Sequence, residues 1–205
     1  MKKTLIITAA GLGAALLLSA CSAGTAGSGE DMSGMPGHGG QASSAPASSP
    51  VQAGDGHNAA DTMFAAMMIP HHSQALEMSG IMLAKQGIPE DVTALARRIQ
   101  KAQGPEIATL KSWLSDWGEN PAGHAGHSMD GMMSADDLEQ LKAAQGTAAA
   151  RLFLSQMIKH HEGALTMART ESREGKDVKA VELSRKIVAD QAAEIAEMKK
   201  LLATL

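Results

Sequence analysis

The sequence predicts an all-α fold, an antiparallel four-helix bundle made of a duplicated helical hairpin. Three observations carry this. The first is an internal repeat: Phe64–Met78 (FAAMMIPHHSQALEM) matches Phe153–Met167 (FLSQMIKHHEGALTM) at an offset of 89, with eight of fifteen positions identical. The second is composition. Long segments are rich in Ala, Leu, Met, Glu, Lys and Gln, all strong helix formers, while there is no Tyr and no sustained alternation of the kind a strand needs. The third is periodicity. Phe64, Met68, His71, Ala75, Met78 and Met82 are spaced 4-3-4-3-4, which is the seam of a helix bundle.

Four helices are expected, at 58–86, 89–117, 135–174 and 177–204. Gly87-Ile88-Pro89 breaks the first hairpin and Gly175-Lys176-Asp177 the second. Past these breaks the offset falls to 88, so the second turn is one residue shorter. There Leu95, Ile99, Gln103, Glu106, Ile107 and Leu114 recur as Leu183, Ile187, Gln191, Glu194, Ile195 and Leu202. The two repeats thus cover 58–117 and 135–205, and a bundle over 58–205 is long enough to bury an adequate core.

The rest of the chain reads differently. Residues 1–20 carry Lys2 and Lys3, a short apolar run and a small-residue ending, the order of a secretory signal. The run is shorter than the roughly 20 residues of a comfortable membrane span. Leu18-Ser19-Ala20-Cys21 resembles the lipobox of bacterial lipoproteins, so Cys21 is expected to be the lipidated first residue of an envelope protein. Residues 21–57, rich in Gly, Ser, Ala and Pro, read as a flexible tether; they include Met32, Met35 and His38. A second Gly-rich stretch, 118–134, holds His124, His127, Met129, Met132 and Met133. In a flexible loop these methionines have no core to join and are expected to capture metal.

Composition excludes several functions. With one Cys, the chain can form neither an internal disulfide nor a thiolate zinc site. Two Trp and two Phe make no base-stacking platform, and a net charge of −4 without a basic block argues against nucleic acid. What is abundant is soft ligand: 14 Met beside 8 His. His71 and His72 recur as His160 and His161, each pair with two Met of the same repeat: Met68 and Met78, then Met157 and Met167. Imidazole and thioether one turn apart on a helix face can converge on one ion, and thioether selects Cu(I) or its analogue Ag(I). A methionine stripe is also what plain core packing looks like. However, buried histidines are costly without partners, which favours ligation. Pro70, just before the first His pair, is expected to loosen that turn. Gln103 and Glu106 with Gln191 and Glu194 read as interhelical hydrogen bonding or as support for the histidines.

At MIPHHSQALEM and MIKHHEGALTM the chain resembles the domain-of-unknown-function 305 family (DUF305), from about Asn58 to Leu205 and including both Q-x-x-E-I motifs. The resemblance implies a ferritin-like four-helix bundle in a secreted or lipid-anchored form. It also implies that copper binding, known for some members, extends to this chain, with Met68, His71, His72, Met78, Met157, His160, His161 and Met167 as ligands. Di-iron bundles require Glu-x-x-His, which is absent here, and no nucleophile–base pair is evident. The expectation is therefore a non-enzymatic copper protein, with Cu(I) favoured over Cu(II) or Ag(I), that sequesters or passes on metal. Its expected partners are metal ions, the membrane through its anchor, and a copper-handling protein or a second copy of the chain. The alternatives are a cuprous oxidase and a metal-free envelope interaction module.

Overall fold

The computed structural model describes residues 56–120 and 129–205. The expected signal sequence, lipidated Cys21, nearly all of the tether, and His124 and His127 of the loop lie outside the described residues. Among the described residues five helices are formed: α1 (Ala59–Leu83), α2 (Glu90–Trp117), α3 (Ala135–Ala143), α4 (Gly146–Glu174) and α5 (Val178–Thr204). There is no strand among the described residues.

The helix ends follow from local chemistry. Asn58 accepts from the Ala60 and Asp61 N–H groups while Asp61 reaches back to the Asn58 N–H, a reciprocal capping box. Pro89 precedes α2, and Glu90 and Asp91 place negative charge in its first turn. The helix stops at Gly118, whose φ of 71° suits a residue without Cβ, and the Glu119 N–H returns to the Leu114 carbonyl at 2.8 Å. Ser134 with Asp137 caps α3, and the Asp177 side chain caps α5 by accepting from Ala180. The two expected hairpin turns are present at Gly87 and at Gly175–Asp177.

The expected helix over 135–174 is in fact two. Ala144 and Gln145 are extended and Gly146 has φ 53°. The break is held from outside, because Lys85 Nζ donates to the carbonyls of Lys142 and Ala144 at 2.7 Å each. Its cause is topological. Asn58 Nδ2 bonds the Glu174 carbonyl, and Asp61 accepts from the Lys176 and Asp177 N–H groups, so the start of α1 meets the end of α4. The two helices are antiparallel. Since α2 is antiparallel to α1, α2 and α4 run the same way. Residues 118–145 must therefore travel the length of a 28-residue helix, about 40 Å. This is the single long crossover of ferritin-like bundles, and α3 is part of it. By contrast, α1 runs unbroken through Pro70, which faces solvent.

The core lies in two apolar clusters. One gathers Ala75, Met78 and Met82 of α1, Leu95 and Ile99 of α2, Phe153 and Met157 of α4 and Met198 of α5, with Met133 and Leu141 from the crossover. The other gathers Phe64, Met68, Leu110, Leu114, Ala164, Ala168 and Ile187. Each fully buried Leu, Met or Phe stabilises the fold by roughly 2 kcal/mol relative to exposure. Met133 corrects the sequence reading, in which the loop methionines had no core to join. The Gln74 amide holds the Met133 backbone at both its N–H (2.7 Å) and its carbonyl (2.9 Å), and the side chain enters the first cluster. Met129 and Met132 remain half-buried.

Candidate metal centre

Between the two clusters lies a polar layer. On α1 it is His71 and His72, on α4 His160 and His161, on α2 Gln103 and Glu106, and on α5 Gln191 and Glu194. All four histidines and both glutamines are buried. The repeat places every member twice. His71 and His160, which are equivalent by sequence, touch each other, with ring centroids 3.8 Å apart and planes inclined by 37°. A residue in contact with its own repeat-equivalent lies on the two-fold axis relating the halves. The outer pair obeys the same symmetry: His72 Nε2 donates to Glu106 Oε2 at 2.9 Å, and His161 Nε2 donates to Glu194 Oε2 at 2.7 Å. A carboxylate only accepts, so these bonds place a proton on Nε2 of each outer histidine.

Of the eight ring nitrogens in this layer, six make no well-aligned hydrogen bond: both of His71, both of His160, and Nδ1 of His72 and His161; the backbones of Asp130 and His71 act only weakly on His71 and His160. Unpartnered buried polar atoms are rare and each costs free energy. Here they converge from two helices. The inner histidines are held neutral. Burial, then the neighbouring charges of His72 and His161, lowers the His71 pKa to about 3. Burial, then His71, His161 and His72, lowers that of His160 to about 2. A neutral imidazole is the form that ligates metal. The residues present therefore fit a soft ion, provided that donors other than His, Cys, Asp and Glu complete it. Among the described residues no three side chains of those four types form a metal-holding group.

Thioether is the available complement, and the structure divides the methionines. Met68 and Met157 lie one turn before His71 and His160, buried at the edges of the layer. Met78 and Met167 are seven residues beyond the same histidines, about 10 Å along each helix. Met78 is deep in the first cluster. Met167 is half-buried and faces a surface groove with Met63 and Met67. Of the eight residues grouped by sequence, the fold gathers six around the layer and leaves those two outside it.

The crossover passes directly over the layer. Gly131, at φ 84°, lies so near the His160 carbonyl that a Cβ would sit 3.0 Å from it, and a Cβ on Gly163 would collide with the Asp130 backbone. Both glycines are required by this close approach. Sequence reasoning did not anticipate this cover. It also missed a buried acid pair at the far end of the bundle. Asp61 accepts from three backbone N–H groups, and its carboxyl meets that of Glu171. Among the described residues no other N–H or O–H donor reaches the Glu171 carboxyl, so two acids this close are best accommodated with one proton between them. Burial, the hydrogen bond to Asp61 and the charges of Asp61 and Asp177 push Glu171 up to about 8. No local pattern signals a pair 110 residues apart.

The comparisons agree with this architecture. The family model described as "Domain of unknown function (DUF305)" matches residues 61–202. The chain is similar to a DUF305 protein of Streptomyces coelicolor assigned as secreted, at 31% identity over 71% of this chain and 93% of that one, with TM-score 0.66. It is similar to a DUF305 fragment from Deinococcus radiodurans at 30% identity, covering 72% and 98%, TM-score 0.65. It is also similar to CopM, whose Cu(I)-bound form aligns at 32% identity over 70% and 96%, TM-score 0.60. CopM has been solved with Cu(II) and with Ag bound as well. No curated protein matches the chain. With the repeat, the crossover bundle and the histidine layer in place, the chain belongs to the DUF305 family.

Proposed function

We propose that this protein is an extracytoplasmic, lipid-anchored copper-binding protein that sequesters or passes on the metal and does not turn it over. The observation that carries the reading is the set of six imidazole nitrogens without a well-aligned hydrogen bond in the buried layer, four of them on a ring pair held neutral. In this reading His71 and His160 bind Cu(I) first, with Met68 or Met157 as thioether donors. His72 and His161, oriented by Glu106 and Glu194, flank that pair on either side. Cu(II) and Ag(I) are further cargo, which the metal-bound forms of CopM support at 32% identity. The His/Met segment at 118–134 serves as a capture site. A secreted location draws support from the Streptomyces relative, and attachment through Cys21 from the lipobox.

The test is an anaerobic Cu(I) titration of the full chain in mild detergent against a competing chelator. The double variant His71→Ala/His160→Ala is expected to lose one equivalent of tight Cu(I). An unchanged stoichiometry overturns the assignment. Oxygen uptake on adding Cu(I) is expected to stay at the buffer rate; sustained turnover would replace the binding role with a cuprous oxidase. Labelling with radioactive palmitate is expected to vanish in Cys21→Ser.

A further inference from the structure

The repeat provides an internal control for reading the surface. The α1–α4 seam has two ends, related by the axis through His71 and His160. At one end α3 lies in the groove between the helices: Leu141 is fully buried there, Gln156 Nε2 donates to the Asp137 carbonyl at 3.0 Å, and Lys85 holds the end of α3. Among the described residues, no segment lies in the equivalent groove at the other end. It is an apolar cavity of about 400 Å³ between the start of α1 and the end of α4.

Three of the side chains lining it are thioethers. Met63 and Met67 stand one turn apart on α1, and Met167 faces them from α4. All three are half-buried, unlike the fully buried Met68, Met78 and Met157. The equivalents of Met63 and Met67 in the other repeat are Leu152 and Gln156. Leu152 packs against the core beside α3, and Gln156 bonds the crossover. An apolar wall alone would have been met by Leu. At positions 63 and 67 methionine stands where the covered end has Leu and Gln, and thioether is the soft donor in this wall. Glu174 is the charged side chain among the lining residues, since Glu171 keeps its proton up to about pH 8, and its sign favours a cation.

We propose that Met63, Met67 and Met167 form a second, thioether-only site for a soft monovalent cation, Cu(I) or Ag(I), on the open end of the seam. It is separate from the histidine layer and stands whether or not that layer binds copper. Each thioether sulfur donates a lone pair without losing a proton or changing oxidation state, so binding displaces the ion's solution ligands and releases no proton. The flexible side chains allow the three sulfurs to turn toward one ion.

The test uses the full chain with ¹³C-labelled methionine methyl groups, titrated with silver nitrate in chloride-free buffer. Single Met→Leu variants, which conserve volume, assign the three signals. In the His71→Ala/His160→Ala background, the methyls of Met63, Met67 and Met167 are expected to shift together and saturate at one equivalent. The triple variant Met63→Leu/Met67→Leu/Met167→Leu is expected to lose one Ag(I) equivalent in either background. Unmoved methyl signals, or full stoichiometry in the triple variant, overturn the proposal. Failure of the histidine assignment instead leaves these shifts intact, so the two outcomes are read separately.

Discussion

The two ends of the α1–α4 seam began as the same structure and are now different. At the covered end, Met78, Met82, Ala149 and Phe153 pack with Leu141 and Met133 of the crossover into continuous core. At the open end, Met63, Met67 and Met167 face a cavity. The helices, the turns and the central histidine layer are duplicated; the crossover is not. A single 28-residue connection (118–145) can cover only one of two equivalent grooves. Duplication thus supplies the frame, and the linker between the copies breaks its symmetry. At two positions residue choice follows the linker: Leu152 and Gln156 stand where it lies, Met63 and Met67 where it does not.

The contrast can be broken by substitution. Leu141→Ala at the covered end is expected to lower the unfolding free energy by roughly 2–5 kcal/mol, because it opens a cavity in packed core. Met67→Ala at the open end, where the side chain is half in water, is expected to cost about 1 kcal/mol or less. Urea denaturation of both variants measures the difference, and equal losses would show that the open groove is core after all. Gly163→Ala tests the cover itself. Its new Cβ strikes the Asp130 backbone, and overpacking of this kind costs roughly 1–3 kcal/mol. Hydrogen exchange at the Met133 N–H, now bonded to Gln74, should accelerate in the same variant.

The acid pair at the open end gives a pH signature. Glu171 binds its proton more tightly in the fold (pKa about 8) than in the unfolded chain (4.5), so the folded state carries more protons in that window. Its stabilising contribution is complete below pH 4.5 and shrinks as pH rises toward 8. The limiting slope is about 1.4 kcal/mol per pH unit. Melting temperature should fall between pH 5 and pH 8 in the native chain and fall less in Glu171→Gln. A parallel decline in both would remove Glu171 from the account. The smallest effect is expected at the symmetric layer. Glu106→Gln and Glu194→Gln each weaken one charge-assisted bond to a histidine, by roughly 0.5–1 kcal/mol. The two losses should agree closely, since the Lys186 contact to Glu106 is exposed and screened.

Much of this was legible in the sequence because it is local or periodic. The offset of 89, the 4-3-4-3-4 stripe and the Gly-containing turns fix four long helices and pair them into hairpins. What periodicity does not carry is the register of one hairpin against the other. That register brings His71 onto His160, joins Asp61 to Glu171 and turns Met167 away from the histidines toward Met63 and Met67. The division of the expected third helix was hidden for a related reason. Ala143-Ala144-Gln145 are adequate helix formers, and the break is imposed by Lys85 from the turn between α1 and α2 and by the path of the crossover. Met133 looked like a loop ligand because nothing in its neighbours announces Gln74, which anchors it from 59 residues away.

The axis through the His71–His160 contact has an ancestral consequence. An interaction in which each partner presents the same patch is the signature of a two-fold homodimer. One α1–α2 hairpin paired with a second copy of itself across that axis would bring two copies of His71 together, each flanked by a His72–Glu106 bond, with no crossover needed. The layer does not require a long chain; it requires two halves. Joining them in one polypeptide fixed their ratio at one to one, removed the dependence of the site on protein concentration, and released each half to diverge. Met63 and Met67 of the open groove, whose counterparts are Leu152 and Gln156, are what that freedom allowed.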